Sequence, residues 1–388
     1  MLEPGFGVPH GAWMPQQARQ SDYAQRPPGS FHGPSGRGHG VGEDLPAHRS
    51  DCSNRLLKTI RYVQAVPAMK IPFSPSIYEH AARFAGRSPY ETSRDPELIF
   101  KGHRDAWLEY RHQPIVVGID IYNLEAEAYG AEVENPGEDA IPAISRNPCR
   151  SIDEGLAIRP FDPKRDGRIP MVIDTARRLK DALPEADVRV PVAGPFSVAF
   201  NLRGITGLLE DVGLTPEPVA EWLMQLARNQ AAFCKAVVEA GVGVAFFESA
   251  AAPPLLSPRQ FHNVELPALN WILREASAIT GTPVPCIMGG HTYPILDDML
   301  STGTGFLVCN VETKQREFVE KVWARKPSVK VRVNMDPRIV ACDDRETIRA
   351  EVERIVSIAK PNCLMGTGCL PLETPPSNIR LIRELLAD

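Results

Sequence analysis

The 388-residue sequence contains no apolar run near the roughly 20 residues that cross a bilayer as a helix. Its start lacks a charged segment followed by an apolar one, so no secretion signal is read there. Basic residues are scattered rather than striped and the formal charge is −5, which leaves no electrostatic footprint for nucleic acid. The eight cysteines show no regular spacing, and no CxxC or HxxxH pair occurs; reduced thiols fit better than a disulfide framework. No phosphate-binding glycine fingerprint follows an early strand, since "GRGHGVG" (36–42) has neither strand nor helix beside it. These absences argue against membrane, secreted and nucleic-acid-binding classes. A cytoplasmic protein is the expectation.

Ile, Val and Leu are also scarce in the first fifty residues, which are rich in Gly, Pro, His and Gln. Such a segment cannot bury enough apolar surface to offset its ordering entropy, so residues 1–52 are expected to form a disordered tail. Residues 53–388 are different. Eight short apolar runs read as strands at 68–73, 114–120, 188–194, 243–248, 283–288, 305–310, 329–334 and 362–367. Between them, 95–110, 215–241, 257–279 and 343–359 carry apolar residues at three- and four-residue spacing, the last two behind good N-cap residues. Continuous apolar strands alternating with helices imply a parallel sheet covered on both faces. Eight of them predict an α/β fold, a (β/α)8 TIM barrel, with a doubly wound sheet as runner-up.

In such a barrel the site lies at the C-terminal ends of the strands. The polar residues there are Asp120, Glu248, Cys286, Cys309, Asn310, Asn334, Asp336 and Cys369. Asp336, followed by Pro337, reads as a helix cap; Asp120 and Glu248 read equally as caps or as functional carboxylates. Cys234 sits mid-helix and reads as core, while Cys363 begins a strand away from the mouth. Cys286, Cys309 and Cys369 all end strands on one rim, as a thiophilic zinc site with an open position requires, and His291 could add a nitrogen. Buried inert thiols explain the same residues as well.

The chain resembles the uroporphyrinogen decarboxylase superfamily over about residues 55–388. The resemblance is carried by "DIYNLEAEAYGAEVE" (120–134), "AGPFSVAFNLRG" (193–204), "FFESAAAPPLLSPRQF" (246–261), "PCIMGGHTYPILDDM" (285–299) and "GTGCLPLETPPSNIR" (366–380). It implies a (β/α)8 barrel and one of two chemistries: decarboxylation of uroporphyrinogen, or zinc-dependent methyl transfer between a corrinoid protein and a thiol. Asp120 falls on the decarboxylases' substrate-binding aspartate. Asn201 and Thr367 stand where they have tyrosine and histidine, and their arginine-rich N-terminal motif has no counterpart. A substrate with eight carboxylates needs several cations to hold it. Cys369 matches a cysteine that the methyltransferases carry in a glycine turn, although their His-x-Cys pair appears here as Cys286-Ile287-Met288.

The expectation is therefore a methyltransferase with a corrinoid (cobalamin-type) binding protein as partner and a small-molecule methyl donor or acceptor. Zinc would be held by Cys369, Cys309, Cys286 and His291. Glu248 would act as a base behind the metal or as a substrate contact, and Asp120 as a substrate-orienting carboxylate, with Tyr122, Asn201 and Asn334 also meeting the substrate. A homodimer is compatible with this reading. The alternatives are a true decarboxylase of tetrapyrrole biosynthesis, and a non-catalytic tetrapyrrole or corrinoid-protein binder.

Overall fold

Runs of Val, Ile, Phe and Cys in this chain become short parallel strands because both their faces find apolar cover. The computed structural model describes residues 70–387 apart from 138, 342 and 343. The expected tail at 1–52 lies outside the described residues, as does the start of the first expected strand. The strands are β1 (Phe73–Ser76), β2 (Ile115–Val116), β3 (Val188–Ala193), β4 (Gly243–Phe247), β5 (Cys286–Ile287), β6 (Phe306–Cys309), β7 (Lys330–Met335) and β8 (Cys363–Cys369). They pair in parallel in the orders β2-β3-β4-β5 and β6-β7-β8-β1, and a parallel bridge between Pro285 and Phe306 joins the two sets. Helices run between them, so the fold is a (β/α)8 barrel. An antiparallel hairpin, Glu132–Glu134 with Ala143–Arg146, stands outside it.

The seam of the ring, between β1 and β2, has no ladder among the described residues. Pro72, Pro75 and Pro114 lie at these two strands and donate no hydrogen bonds, which suits an edge and not a ladder. Side chains close the seam instead: Tyr78, Val116, Ile121, Ala245 and Phe247 form one interior cluster. The second strand is also far shorter than the expected 114–120. Gly118 leaves the ladder at φ 145° and gives its N–H to Nε2 of His103 at 3.0 Å.

Strand pairing fixes which side chains face the lumen. Phe247 pairs with Ile287, Val308 with Arg332, and Asn334 with Gly366, all inward; Phe246 pairs with Cys286, and Cys309 with Val333 and then Met365, all toward the helices. One large apolar core lies between strands and helices and includes Phe246, Cys286, Cys309, Val333 and Met365.

The cap expected at the start of 343–359 forms at Asp344, ahead of Arg345–Ile358; Asp95 also caps its helix, its Oδ1 accepting from Glu97 N at 2.8 Å and Leu98 N at 3.3 Å. The segment expected as one helix at 257–279 is broken into a capped turn Pro258–Gln260, a π turn Phe261–Glu265 and a helix Leu266–Thr280. Pro267 cannot donate to the carbonyl four residues back and its ring crowds that carbonyl, which favours the wider turn just before it.

Three histidines, His80, His103 and His112, are buried beside the seam. His80 Nε2 meets the Tyr110 hydroxyl at 2.9 Å, and among the described residues Nδ1 of His112 has no partner. Burial pushes His80 and His103 down to about 4, and burial with the charges of His103 and His80 pushes His112 down to about 3. The folded-state values lie below the ordinary value of 6.5, so the unfolded chain binds more protons below pH 6.5. Stability is therefore full above pH 6.5 and is lost as pH falls toward 3–4. Each such histidine costs about 2 kcal/mol at pH 5. His112→Phe should consequently gain about 2 kcal/mol relative to the parent between pH 8 and pH 5 in urea-unfolding curves. An unchanged difference between the two proteins would refute neutral burial of His112.

Candidate active site

The mouth of the barrel is walled by aromatic rings. Tyr78 and Tyr122 each meet Phe247 edge-on, with centroids 5.6 and 6.0 Å apart. The Tyr122 hydroxyl bonds to Ser249 Oγ at 2.6 Å, and Ser249 Oγ in turn accepts from Gly289 N at 3.2 Å. Burial pushes Tyr78 up to about 12 and Tyr122 well above the ordinary phenol value, with the nearby Cys369 thiol adding to both. Both phenols stay protonated at neutral pH and can donate a hydrogen bond.

Cys369 ends β8 opposite Ser76 and packs, half-buried, against this aromatic cluster. The expected tight glycine turn before it is not formed: β8 runs extended through Cys369, and neither Gly366 nor Gly368 has a positive φ. The glycines are needed for close approach instead. A Cβ on Gly366 would lie 2.5 Å from Cγ and Cδ of Arg332 and 2.6 Å from Oδ1 of Asn334; one on Gly368 would lie 2.9 Å from the Pro337 ring. Gly366 thus makes room inside the barrel for the long side chain of β7.

Four metal ligands were expected at this rim. Pairing sets Cys286 and Cys309 on the helix side of the wall, away from Cys369, and Cys309 Sγ donates to the Gln315 carbonyl at 3.8 Å. Burial pushes Cys286 and Cys309 well up as thiols, away from the thiolate a metal binds. His291 lies in the loop after β5, its Nδ1 3.3 Å from Thr313 Oγ1. Among the described residues no three His, Cys, Asp or Glu side chains converge to hold a metal ion. Cys369, Cys309, Cys286 and His291 therefore do not fit zinc as one ligand set here.

The two candidate carboxylates are occupied within the fold. Asp120 receives a fork from Arg168, Nη1 to Oδ1 at 2.9 Å and Nη2 to Oδ2 at 2.7 Å, with Asn123 Nδ2 at 3.2 Å. Arg168 also binds Glu127 and the Ser93 carbonyl. Glu248 continues the outward parity of Phe246 and caps the helix Pro195–Arg203: Oε1 accepts from Ser197 N at 2.9 Å and Ser197 Oγ at 2.7 Å, and Oε2 from Phe196 N at 3.2 Å. Gly194 has no Cβ because Glu248 fills that space. Asn201, on the same helix, donates Nδ2 to the Tyr122 carbonyl at 2.6 Å and so holds the loop that carries Tyr122. Thr367 accepts from Ser76 N at 3.1 Å. Asn334 faces the lumen, donating to Asn310 Oδ1 at 3.0 Å, while its own Oδ1 meets no donor.

Several functional candidates escaped the sequence reading: Arg332, Tyr78, Arg168 and Glu265. Arg332 had a signal, a charge inside the apolar alternation "VKVRVN". Arg168 and Glu265 had none, since their partners are distant in sequence.

A parallel barrel with polar and aromatic residues gathered at the C-terminal mouth is the architecture of an enzyme. The family model for uroporphyrinogen decarboxylase (URO-D) matches residues 54–387, and the chain belongs to that family. Among solved structures it is similar to a methyltransferase from Methanosarcina mazei at 19% identity and TM-score 0.71, covering 82% of this chain and 94% of that one. It is also similar to a B12-independent methionine synthase from Shewanella sp. W3-18-1 in complex with selenomethionine (10%, TM-score 0.53, covering 82% and 97%). A putative vitamin-B12 independent methionine synthase from Listeria monocytogenes is similar at 12% and TM-score 0.51, covering 84% and 98%. No curated protein sequence matches the chain. Among the described residues no helix is long and apolar enough to cross a membrane.

Proposed function

We propose that this chain is a methyltransferase that moves a methyl group between a corrinoid-bearing protein and a small thiol or similar acceptor seated in the barrel mouth. The observation that carries this reading is the position of Cys369, half-buried inside the mouth beside Tyr78 and Tyr122, where the sequence resemblance places the methyltransferase cysteine. The methyltransferase among the similar folds supports the same branch. The decarboxylase reading is weaker on geometry. Asp120 is closed by Arg168, Thr367 is spent on Ser76, and Asn201 is spent on the Tyr122 carbonyl.

In the proposed reaction the acceptor thiol gives up its proton to solvent on entering the mouth, its sulfur forms the new bond to the methyl carbon, and the donor keeps the electron pair of the bond that breaks. The aromatic wall excludes water from that exchange, and the Tyr122–Ser249 pair and Asn334 orient the acceptor. A cytoplasmic setting belongs to the same proposal.

The test is anaerobic incubation of the purified protein with methylcobalamin and a thiol, read by corrinoid absorbance, alongside an assay with uroporphyrinogen. Thiol-dependent loss of the methyl-cobalt spectrum without coproporphyrinogen formation is the expected result. Turnover of uroporphyrinogen with no demethylation would overturn the assignment.

A further inference from the structure

Arg332 is a cation inside a protein wall. It stands on β7 with its side chain in the lumen and is 6% exposed. Its guanidinium carbon lies 6.0 Å from the Phe306 ring centre, it interacts with the Tyr78 hydroxyl, and among the described residues its Nε has no hydrogen-bond partner. Among the described residues no carboxylate forms an ion pair with it, although Arg168, with comparable burial, has two. A buried charge without an opposite charge is costly, and folds retain one where a ligand supplies the partner. Beside it, among the described residues, the Asn334 oxygen also meets no donor, and Gly366 makes room for both side chains.

We propose that Arg332 is the binding residue for a carboxylate carried by the small molecule in the mouth, with the Tyr78 hydroxyl completing its cradle. The guanidinium presents a planar fork suited to two parallel bonds with a carboxylate. The Tyr78 phenol, protonated at neutral pH, adds a donor. One cation fits one carboxylate, which sets this substrate apart from a polycarboxylated tetrapyrrole. The inference deepens the methyl-transfer reading: it makes the preferred acceptor a thiol acid and not a neutral thiol.

Two measurements separate this inference from the reading it rests on. Binding of 3-mercaptopropionate and of neutral 2-mercaptoethanol is measured by calorimetry, and both thiols are then compared as acceptors from methylcobalamin. The parent protein should favour the acid at least 10-fold in Kd and in KM, and Arg332→Gln should erase that preference. Equal binding of acid and neutral thiol by the parent overturns the carboxylate site, whether or not methyl transfer occurs. Arg332-dependent binding of the acid without methyl transfer sustains the site and removes the function. Thermal unfolding of Arg332→Leu guards against a merely structural role. A ligand-binding arginine should leave the melting temperature unchanged or raised, because an unpaired buried charge is removed; a large drop would show that Arg332 holds the barrel together instead.

Discussion

Arg168→Met should destabilise the protein by about 3–5 kcal/mol, the cost of leaving a buried carboxylate without its cation. Arg168 sits just before the helix Ile169–Ala182 and reaches across to Asp120, Glu127 and the Ser93 carbonyl. Both oxygens of Asp120, itself 2% exposed, take part in the fork. Methionine keeps much of the volume, so the loss reports charge and hydrogen bonds and not a cavity. Combining Arg168→Met with Asp120→Leu should recover most of the loss, because no charge is then stranded. Chemical denaturation of the single and double variants gives both numbers. A loss under about 1 kcal/mol for the single change would place this pair with ordinary surface ion pairs. The same geometry recasts Asp120, which sequence alone offers as a substrate-orienting carboxylate. With its oxygens engaged by Arg168, substitutions there should be felt first in stability.

What the sequence discloses follows from which forces are local. Strand-like apolar runs and helical spacing are local patterns, and they placed eight strands and the helices at 95–110, 215–241 and 343–359 within a few residues. The large departures came from single residues acting on the backbone. Gly118 ended β2 early, Pro75 shifted pairing at β1, and Pro267 opened the helix at 261–265. The side on which a residue points is harder to read, because a shift of one residue in a strand reverses it. Cys286, Cys309 and Cys369 share a rim by position along their strands, yet pairing turns the first two outward and the third inward. Partners far apart in sequence, such as Arg168 with Asp120 or Gly366 with Arg332, leave no periodic trace. Cys369 was legible because a conspicuous thiol ends a strand, whereas Arg332 required the parity of β7 to be known.

Glu248→Leu should cost on the order of 3–5 kcal/mol, because it orphans the backbone donors of Phe196 and Ser197 together with the Ser197 hydroxyl at a buried helix end. The partner of this carboxylate is Glu265, which the π turn places in the interior with, among the described residues, no hydrogen-bond donor on either oxygen. Burial pushes Glu248 up to about 7, against the pull of Ser197, and burial with the charge of Glu248 pushes Glu265 well above the ordinary carboxyl range. Two buried carboxyls whose charges oppose each other hold one proton between them in preference to both ionising. Folded-state values above the unfolded 4.5 mean that the folded protein holds more protons as pH climbs from there. Their contribution is full below pH 4.5 and is lost as pH rises through 7. Glu265→Gln replaces the shared proton with a permanent amide donor to Glu248. The variant should therefore lose less stability than the parent between pH 5 and pH 8 and be the more stable protein at pH 8. Denaturation at the two pH values checks this, with the histidine contribution common to both proteins. If Glu265→Gln is the weaker protein by the same margin at both, Glu265 works as a fixed acid or an ion, and the shared proton is not what holds this helix end in place.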